Sequence, residues 1–239
     1  MDKLKILYVL LGLILSSCST NNIQAPVLNQ NNSISTHAVS YVVKPNDTLY
    51  SIAWKSGKDY KDLAAWNGIS TPFTIFSGQK LRLLPKKQSK KTKNKINNKK
   101  KLYKKHKVKG VTSNDYKKTL KLKWRWPIKV RQIEKNDGNT GVTLVGKRNE
   151  LVRSGESGKV VYAGSGLKGY GNLLIIKHNE EFLSAYGFNK RLLVKEGAFI
   201  KRGQAIAEIG LDYKKRSIVF FEIRRRGKSV SVTRYLPTL

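Results

Sequence analysis

Residues 217–227 read S-I-V-F-F-E-I-R-R-R-G, close to the C-terminus of a 239-residue chain. Ile218, Phe220 and the residues between them alternate as a strand, and Phe and Ile suit a pleated, half-buried surface. Working outward, residues 158–164 (G-K-V-V-Y-A-G), 169–178 (G-Y-G-N-L-L-I-I-K-H) and 183–189 (L-S-A-Y-G-F-N) have the same grain. Short apolar runs punctuated by glycines continue from Trp124 to Leu239, the pattern of an all-β domain. Strands are expected over 158–163, 173–178, 182–186, 205–209 and 218–224, with turns at Glu196-Gly197 and Arg202-Gly203. No βαβ spacing and no phosphate-cradling glycine motif occurs.

The length allows one large domain or two smaller ones. The formal net charge is +33, from 48 Lys and Arg against 15 acidic residues. Residues 86–123 hold 17 lysines and one acid, Asp115, and so carry +16 of that total. This tract has little apolar periodicity and too much like charge to collapse, so a disordered, extended linker is expected. Its electrostatics suit an anionic partner such as lipid head groups or wall polymers, with attraction that salt weakens. Nucleic acid is disfavoured, because only Tyr103 and Tyr116 interrupt the lysines as stacking platforms.

The N-terminus points the same way. Met1-Asp2-Lys3-Leu4-Lys5 is a short basic leader, followed by the apolar run 6–15 and then Ser16-Ser17-Cys18. That run has about half the twenty residues a spanning helix needs, and it reads as a signal peptide (1–17). Cys18 is the single cysteine, which excludes an intrachain disulfide framework. Leu15-Ser16-Ser17-Cys18 resembles a bacterial lipobox, with Ser17 where Gly or Ala is usual. The resemblance implies cleavage before Cys18 and its lipidation, hence a membrane partner. Export demotes nucleic acid further. Residues 18–40 are rich in Asn, Ser, Thr and Gln and read as a flexible tether. By resemblance to Gram-negative lipoproteins, Ser19 rather than Asp after the cysteine favours the outer membrane, facing the periplasm.

Residues 41–85 contain Y-V-V-K-P-N-D-T-L-Y-S-I-A-W, then D-L-A-A-W-N-G-I, then S-G-Q-K-L-R-L-L-P. A short strand at Tyr41 is expected to lead into a helix capped by Asp47 or Thr48, with Leu49, Ile52 and Ala53 on one face. Asp59 opens a second helix bearing Leu63 and Trp66, and Asn67-Gly68 ends it. A strand with Leu81 and Leu83 follows. The stretch resembles a LysM module, a small α+β unit of order strand–helix–helix–strand. Asn46 stands where Gly is usual, which Asn tolerates because it too enters positive-φ turns. The resemblance implies binding of N-acetylglucosamine-containing glycans, peptidoglycan strands above all. The implied groove lies between the loops 46–49 and 67–72, with Asn46, Asp47, Thr48, Leu49, Asn67, Ile69 and Pro72 as its candidate residues. Asp47, Thr48 and Asn67 also suit plain capping and turn roles.

Residues 124–239, with V-V-Y-A-G, G-Y-G-N-L and F-F-E-I, closely resemble the lysostaphin-like zinc metallopeptidase or LytM domain. The resemblance implies one zinc held by a His and an Asp of a first motif and a His of a last one, with two assisting histidines. Asn139 and Thr143 occupy the first two ligand positions and Phe220 the third, while Phe188 and Ile218 occupy the assisting positions. Zinc needs nitrogen, oxygen or sulfur donors and an open position. A phenyl ring offers none, so the domain is expected to be non-catalytic and free of cofactor. Lone His178 suits a structural role, and Glu222 a hydrogen-bonding one. The emptied cleft, with Asn139, Thr143, Phe188, Ile218 and Phe220 as its candidate partner-binding residues, is expected to present Phe188, Ile218 and Phe220 as an apolar floor for a partner. The other reading is that these side chains simply fill the former cavity as core. Arg216, Arg224, Arg225, Arg226 and Lys228 are expected at its rim, facing an acidic surface.

Signal, LysM module and degenerate LytM domain in that order resemble NlpD-like murein hydrolase activators. The resemblance implies a regulator that binds a cell-wall amidase and relieves its autoinhibition during septum splitting. Two other readings stand beside it: a wall-binding structural lipoprotein with no client enzyme, and a divergent metallopeptidase, which requires bound zinc.

Overall fold

The computed structural model of the protein describes residues 34, 38–85, 122–136 and 141–239. The expected lipidation site Cys18, nearly all of the lysine tract and the candidate Asn139 lie outside the described residues.

The first unit is β1 (Ser40–Val42), α1 (Leu49–Ser56), α2 (Tyr60–Asn67) and β2 (Lys80–Arg82), with β1 and β2 antiparallel. Of the two caps offered for α1, Thr48 is used. Its side chain accepts from the Ser51 backbone N–H at 3.0 Å, while the Ser51 hydroxyl oxygen accepts from the Thr48 N–H at 3.0 Å. Two of the four orphan amide donors at the helix start are thereby satisfied. Asp47 instead fixes the preceding turn, its carboxylate accepting from the Tyr41 hydroxyl at 2.8 Å and the Lys44 N–H at 2.9 Å. Asp59 caps α2 through the Lys61 N–H at 2.8 Å. Asn46 has φ +66°, the left-handed turn conformation its sequence position requires.

The second unit is all-β. Its strands are β3 (Gln132–Lys135), β4 (Val142–Val145), β5 (Leu151–Arg153), β6 (Gly158–Gly164), β7 (Asn172–Lys177), β8 (Phe182–Leu192), β9 (Phe199–Ile200), β10 (Ala205–Leu211), β11 (Ser217–Arg225) and β12 (Lys228–Val230). They form one sheet in the order β3-β4-β11-β10-β8-β7-β6-β9, with β12 on β11 and β5 on β10. β11 also pairs directly with β8, from Phe220 opposite Gly187 to Arg225 opposite Phe182.

Alternation along β11 divides its side chains between two cores. Val219, Phe221 and Ile223 join Trp124, Leu144, Tyr186 and Ile206 in the β domain's own interior. Ile218 and Phe220 point the other way, into a cluster shared with Leu49, Ile52 and Trp54 of the first unit. Every residue of β11 except Arg225 is buried. The strand is therefore covered on both faces, not on one as its composition alone suggested, and the small α+β unit is what covers the second.

Where β8 and β10 cross, the backbones come close. A Cβ on Gly210 would stand 1.9 Å from the Phe188 carbonyl oxygen, a group fixed by the sheet. Phe188 itself has φ +59°, within the register shift of the β7–β8 pair, between Tyr186 opposite Leu174 and Asn189 opposite Asn172. On the far side of the sheet, His178 follows β7. Its Nδ1–H donates to the Ser157 carbonyl at 2.7 Å, and Nε2, 2.7 Å from Ser184 Oγ, accepts that hydroxyl's proton in the neutral ring. Burial pushes the imidazole down to about 4, which is the behaviour of a framework histidine with both nitrogens taken.

Two stability measurements follow from this packing. Gly210→Ala forces the β8–β10 crossing apart and is expected to cost about 3 kcal/mol or more, read as a fall in the urea midpoint. For His178, the folded pKa lies below the unfolded one of about 6.5, so folding favours the neutral ring. Its contribution is complete above pH 6.5 and drains as pH falls toward about 4. Between pH 7 and pH 5 the loss should be roughly 2 kcal/mol. His178→Gln, which keeps a donor and an acceptor without titrating, should flatten that part of the pH profile.

Candidate functional site

Four of the residues at the peptidase-type positions, Thr143, Phe188, Ile218 and Phe220, are described, and they are buried as packing rather than open as a site. Phe220 of β11 lies directly opposite Thr143 of β4 in the sheet register. The Phe220 ring meets Tyr170 edge-on at 5.2 Å and Phe188 at 6.2 Å. Relative exposures are 0% for Phe220, 4% for Ile218 and 5% for Phe188. The open apolar floor expected from the sequence is thus closed. These side chains are core, each contributing roughly 1.5–3 kcal/mol of burial, and are not available to a partner in this state. Thr143, also buried, gives its hydroxyl proton to Asn136 Oδ1 at 3.0 Å.

Zinc, which this fold family implies, does not fit this set of residues. Phe220, Phe188 and Ile218 have no donor atom, and Thr143 has committed its hydroxyl. Among the described residues there is no group of three or more His, Cys, Asp or Glu placed to hold a metal ion. The imidazole of His178 is occupied on both nitrogens.

The polar centre of the face is Glu222, two residues beyond Phe220 and fully buried. Its Oε1 accepts from Arg224 Nε at 2.7 Å. The Arg224 guanidinium lies 3.7 Å from the centroid of the Trp54 ring, and its NH1 donates to the Trp54 carbonyl at 2.6 Å. A buried ion pair needs its remaining valences met. The small unit meets one of Arg224's, while Glu222 Oε2 is buried without a hydrogen-bond partner. The rim expected from the other cations is mostly neutralised. Arg216 is bound to Asp212 and Glu134, and Arg225 and Arg226 both grip Glu181. Lys228 remains exposed.

Around this centre the two units meet at several further points. The Thr48 hydroxyl donates to the Val161 carbonyl of β6 at 3.1 Å. The Tyr60 hydroxyl donates to Glu180 at 3.1 Å, and Lys61 reaches the same carboxylate at 3.0 Å. Hydrogen bonds from Lys177, Lys61 and Tyr60 hold Glu180 down at about 2. Apart from Thr48, none of these partners was singled out by sequence reasoning. The available signal was the unbroken apolar run of β11, which calls for cover on both faces.

The expected glycan groove opens as a cavity of about 460 Å³ at this junction. It gathers Asp47, Thr48, Leu49 and Pro72 from one unit and Lys159 and Lys177 from the other. Asn46, Asn67 and Ile69 are not among its lining residues. Asn67 is spent on structure, its amide bridging the backbone N–H and carbonyl of Arg82 and the Leu63 carbonyl. Leu49 is a core side chain, so only its backbone can serve the groove. Ile69 packs against the unit's core.

Comparison with known proteins agrees with this two-unit architecture. Residues 41–83 match the LysM domain and residues 137–232 match peptidase family M23. A Pseudomonas aeruginosa protein described as a lipoprotein NlpD/LppB homologue is 37% identical, the match covering 82% of this chain and 76% of that one. The Escherichia coli lipoprotein YgeR is 35% identical over 95% of this chain and 89% of its own. The E. coli murein hydrolase activator NlpD is 32% identical over 83% of this chain and 68% of its own. With a LysM module ahead of an M23 domain, and relatives of this identity over most of its length, the chain belongs to the NlpD-like family of lipoproteins.

Proposed function

We propose that this protein is a non-catalytic activator of cell-wall amidases, anchored by lipid on Cys18 and held to peptidoglycan by its LysM module. The observation that carries the reading is the filled metal position. An M23 scaffold keeps its sheet and its Phe-Glu-Ile strand while Phe220, Ile218, Phe188 and Thr143 put packing where chemistry would need donors. A scaffold retained without its chemistry acts by binding. That several relatives bear the name murein hydrolase activator supports a hydrolase as the client.

In physical terms the protein must bind the open state of the amidase better than the closed one, because a ligand shifts an equilibrium only by its differential affinity. Lipid and glycan attachment then set where this happens, at the outer membrane and at septal peptidoglycan during daughter-cell separation. Of the groove residues, Asp47, Thr48 and Pro72 remain the glycan contacts to test.

The deciding experiment mixes the full-length protein with each amidase of the source cell on dye-labelled peptidoglycan. Dye release should rise on the order of tenfold, a typical coupling between two sites, and the protein alone should release none. No acceleration with any amidase, or cleavage by the protein alone, would overturn the reading. Separately, Cys18→Ala should move the protein from the membrane fraction to the soluble one, because the acyl chains supply the anchoring free energy.

A further inference from the structure

The contact between the two units has the character of an interface. It combines a continuous apolar cluster from Leu49, Ile52 and Trp54 to Val161, Ile175 and Phe220 with a buried guanidinium, that of Arg224, which donates across the junction to the Trp54 carbonyl. Charge-assisted bonds surround it: Lys61 and Tyr60 on Glu180, with Lys177 stacked over the Tyr60 ring at 5.4 Å. At one edge the approach is backbone to backbone. Gly227, φ +75° in the turn after β11, lies so close to α2 that a Cβ there would stand 2.4 Å from the Asp59 nitrogen and 2.5 Å from the Lys58 carbonyl carbon. Only glycine permits that approach.

The side of the sheet covered in this way is the side that bears Phe220, Ile218, Glu222 and Arg224, the former chemical face. We infer that the LysM module is an intramolecular occupant of the β domain's cleft face, and that a client hydrolase gains this face only when the module leaves it. The inference rests on the activator reading and adds its regulation. The docked form is the resting form. Release exposes Arg224 and the strand face around it as the surface a client would meet.

The module's own ligand groove is tied to the same event. Thr48, at the edge of that groove, has given its hydroxyl proton to Val161 of the β domain. A saccharide that takes this hydrogen bond must displace the Val161 carbonyl.

Gly227→Ala tests the masking in the full-length chain. The new Cβ collides with backbone that belongs to the module, so docking is lost while each unit keeps its own core. Gly169→Ala is the control, since Gly169 has φ +90° but nothing within 4 Å of an added Cβ, and it bears the same conformational strain without the collision. Glu180→Lys is a second route to the same state, placing a cation against Lys61 and Lys177 at an exposed position. Two readouts are needed: deuterium uptake of peptides spanning residues 49–67 and 217–227, and stimulation of an amidase on peptidoglycan.

For Gly227→Ala and Glu180→Lys, uptake should rise in both peptides and stimulation should increase severalfold over the unaltered chain, with Gly169→Ala matching the unaltered chain in both. Unchanged uptake in both opening variants would show that the module does not dock. Raised uptake with unchanged stimulation would show that docking masks nothing a client uses. If no form stimulates while uptake still rises, the activator reading fails, and the masking with it, whereas the docking itself stands.

Discussion

A sheet that is apolar on both faces must be covered twice. This is the constraint from which the rest of the molecule follows. Along β11, Val219, Phe221 and Ile223 face one way and Ile218 and Phe220 the other, and neighbouring strands repeat the division: Leu174 and Ile176 against Leu173 and Ile175 on β7. The β domain supplies one cover from its own loops and from the segment around Trp124 and Ile128. On the second face its own Leu167, Tyr170 and Phe188 give partial cover. A two-helix module placed some eighty residues upstream provides the rest, which is why the two units share a core.

The metal position takes its meaning from that arrangement. In a face that is to be buried, empty ligand positions lined by polar groups would leave unsatisfied donors and acceptors, each costing about 1–3 kcal/mol. Phe220, Phe188 and Ile218 avoid this by having nothing to satisfy. Where a charge does remain, at Glu222 and Arg224, it is paired within the strand, and the Trp54 carbonyl from the module accepts a further bond from the guanidinium, leaving Glu222 Oε2 as the one oxygen of the pair without a partner. Undocking removes that carbonyl and exposes the guanidinium to solvent or to another acceptor. The acidic residues elsewhere act as local counter-ions: Glu134 and Asp212 for Arg216, Glu181 for Arg225 and Arg226, Glu208 for Arg191. With only 15 acids against 48 cations, this local pairing leaves a large basic surplus over the chain.

Much of the fold was legible because it is locally encoded. Thr48 and Asp59 announce the two helix starts, Gly68 the end of the second helix, and the apolar runs of β6, β7, β10 and β11 stand out between glycines. The short strands β3, β4, β5, β9 and β12 were not legible, since two to four residues carry no periodicity and their pairing is set by distant strands. The replacement of metal ligands could be read from the motif, and the burial of their successors stood as one of two readings that the motif alone did not separate. Phe220 is buried in a cluster that spans both units, against Tyr170 and Phe188 of its own domain and together with Leu49 and Trp54, more than 160 positions away, and no spacing rule links these residues. Asn67 misled for a related reason: at the end of a helix beside a turn it resembles a groove residue, yet its amide is consumed by Arg82 of the second strand.

The coupling between glycan and cleft has a sign that the hydrogen bonds fix. The Thr48 side chain accepts from Ser51 N–H to cap α1, so its oxygen is already engaged, and it has one proton to give. That proton goes to the Val161 carbonyl in the docked form. A saccharide acceptor and Val161 therefore compete for it. Binding free energies are reciprocal between linked sites, so a ligand that weakens docking is itself bound less well while the module is docked. A chain that reaches intact peptidoglycan would then be biased toward the open form where glycan is dense, and a chain away from it toward the closed one. The magnitude is limited by what one neutral hydrogen bond can differ by, about 1 kcal/mol, or roughly a factor of five in the open-to-closed ratio. Several glycan contacts acting together would be needed for a sharper switch.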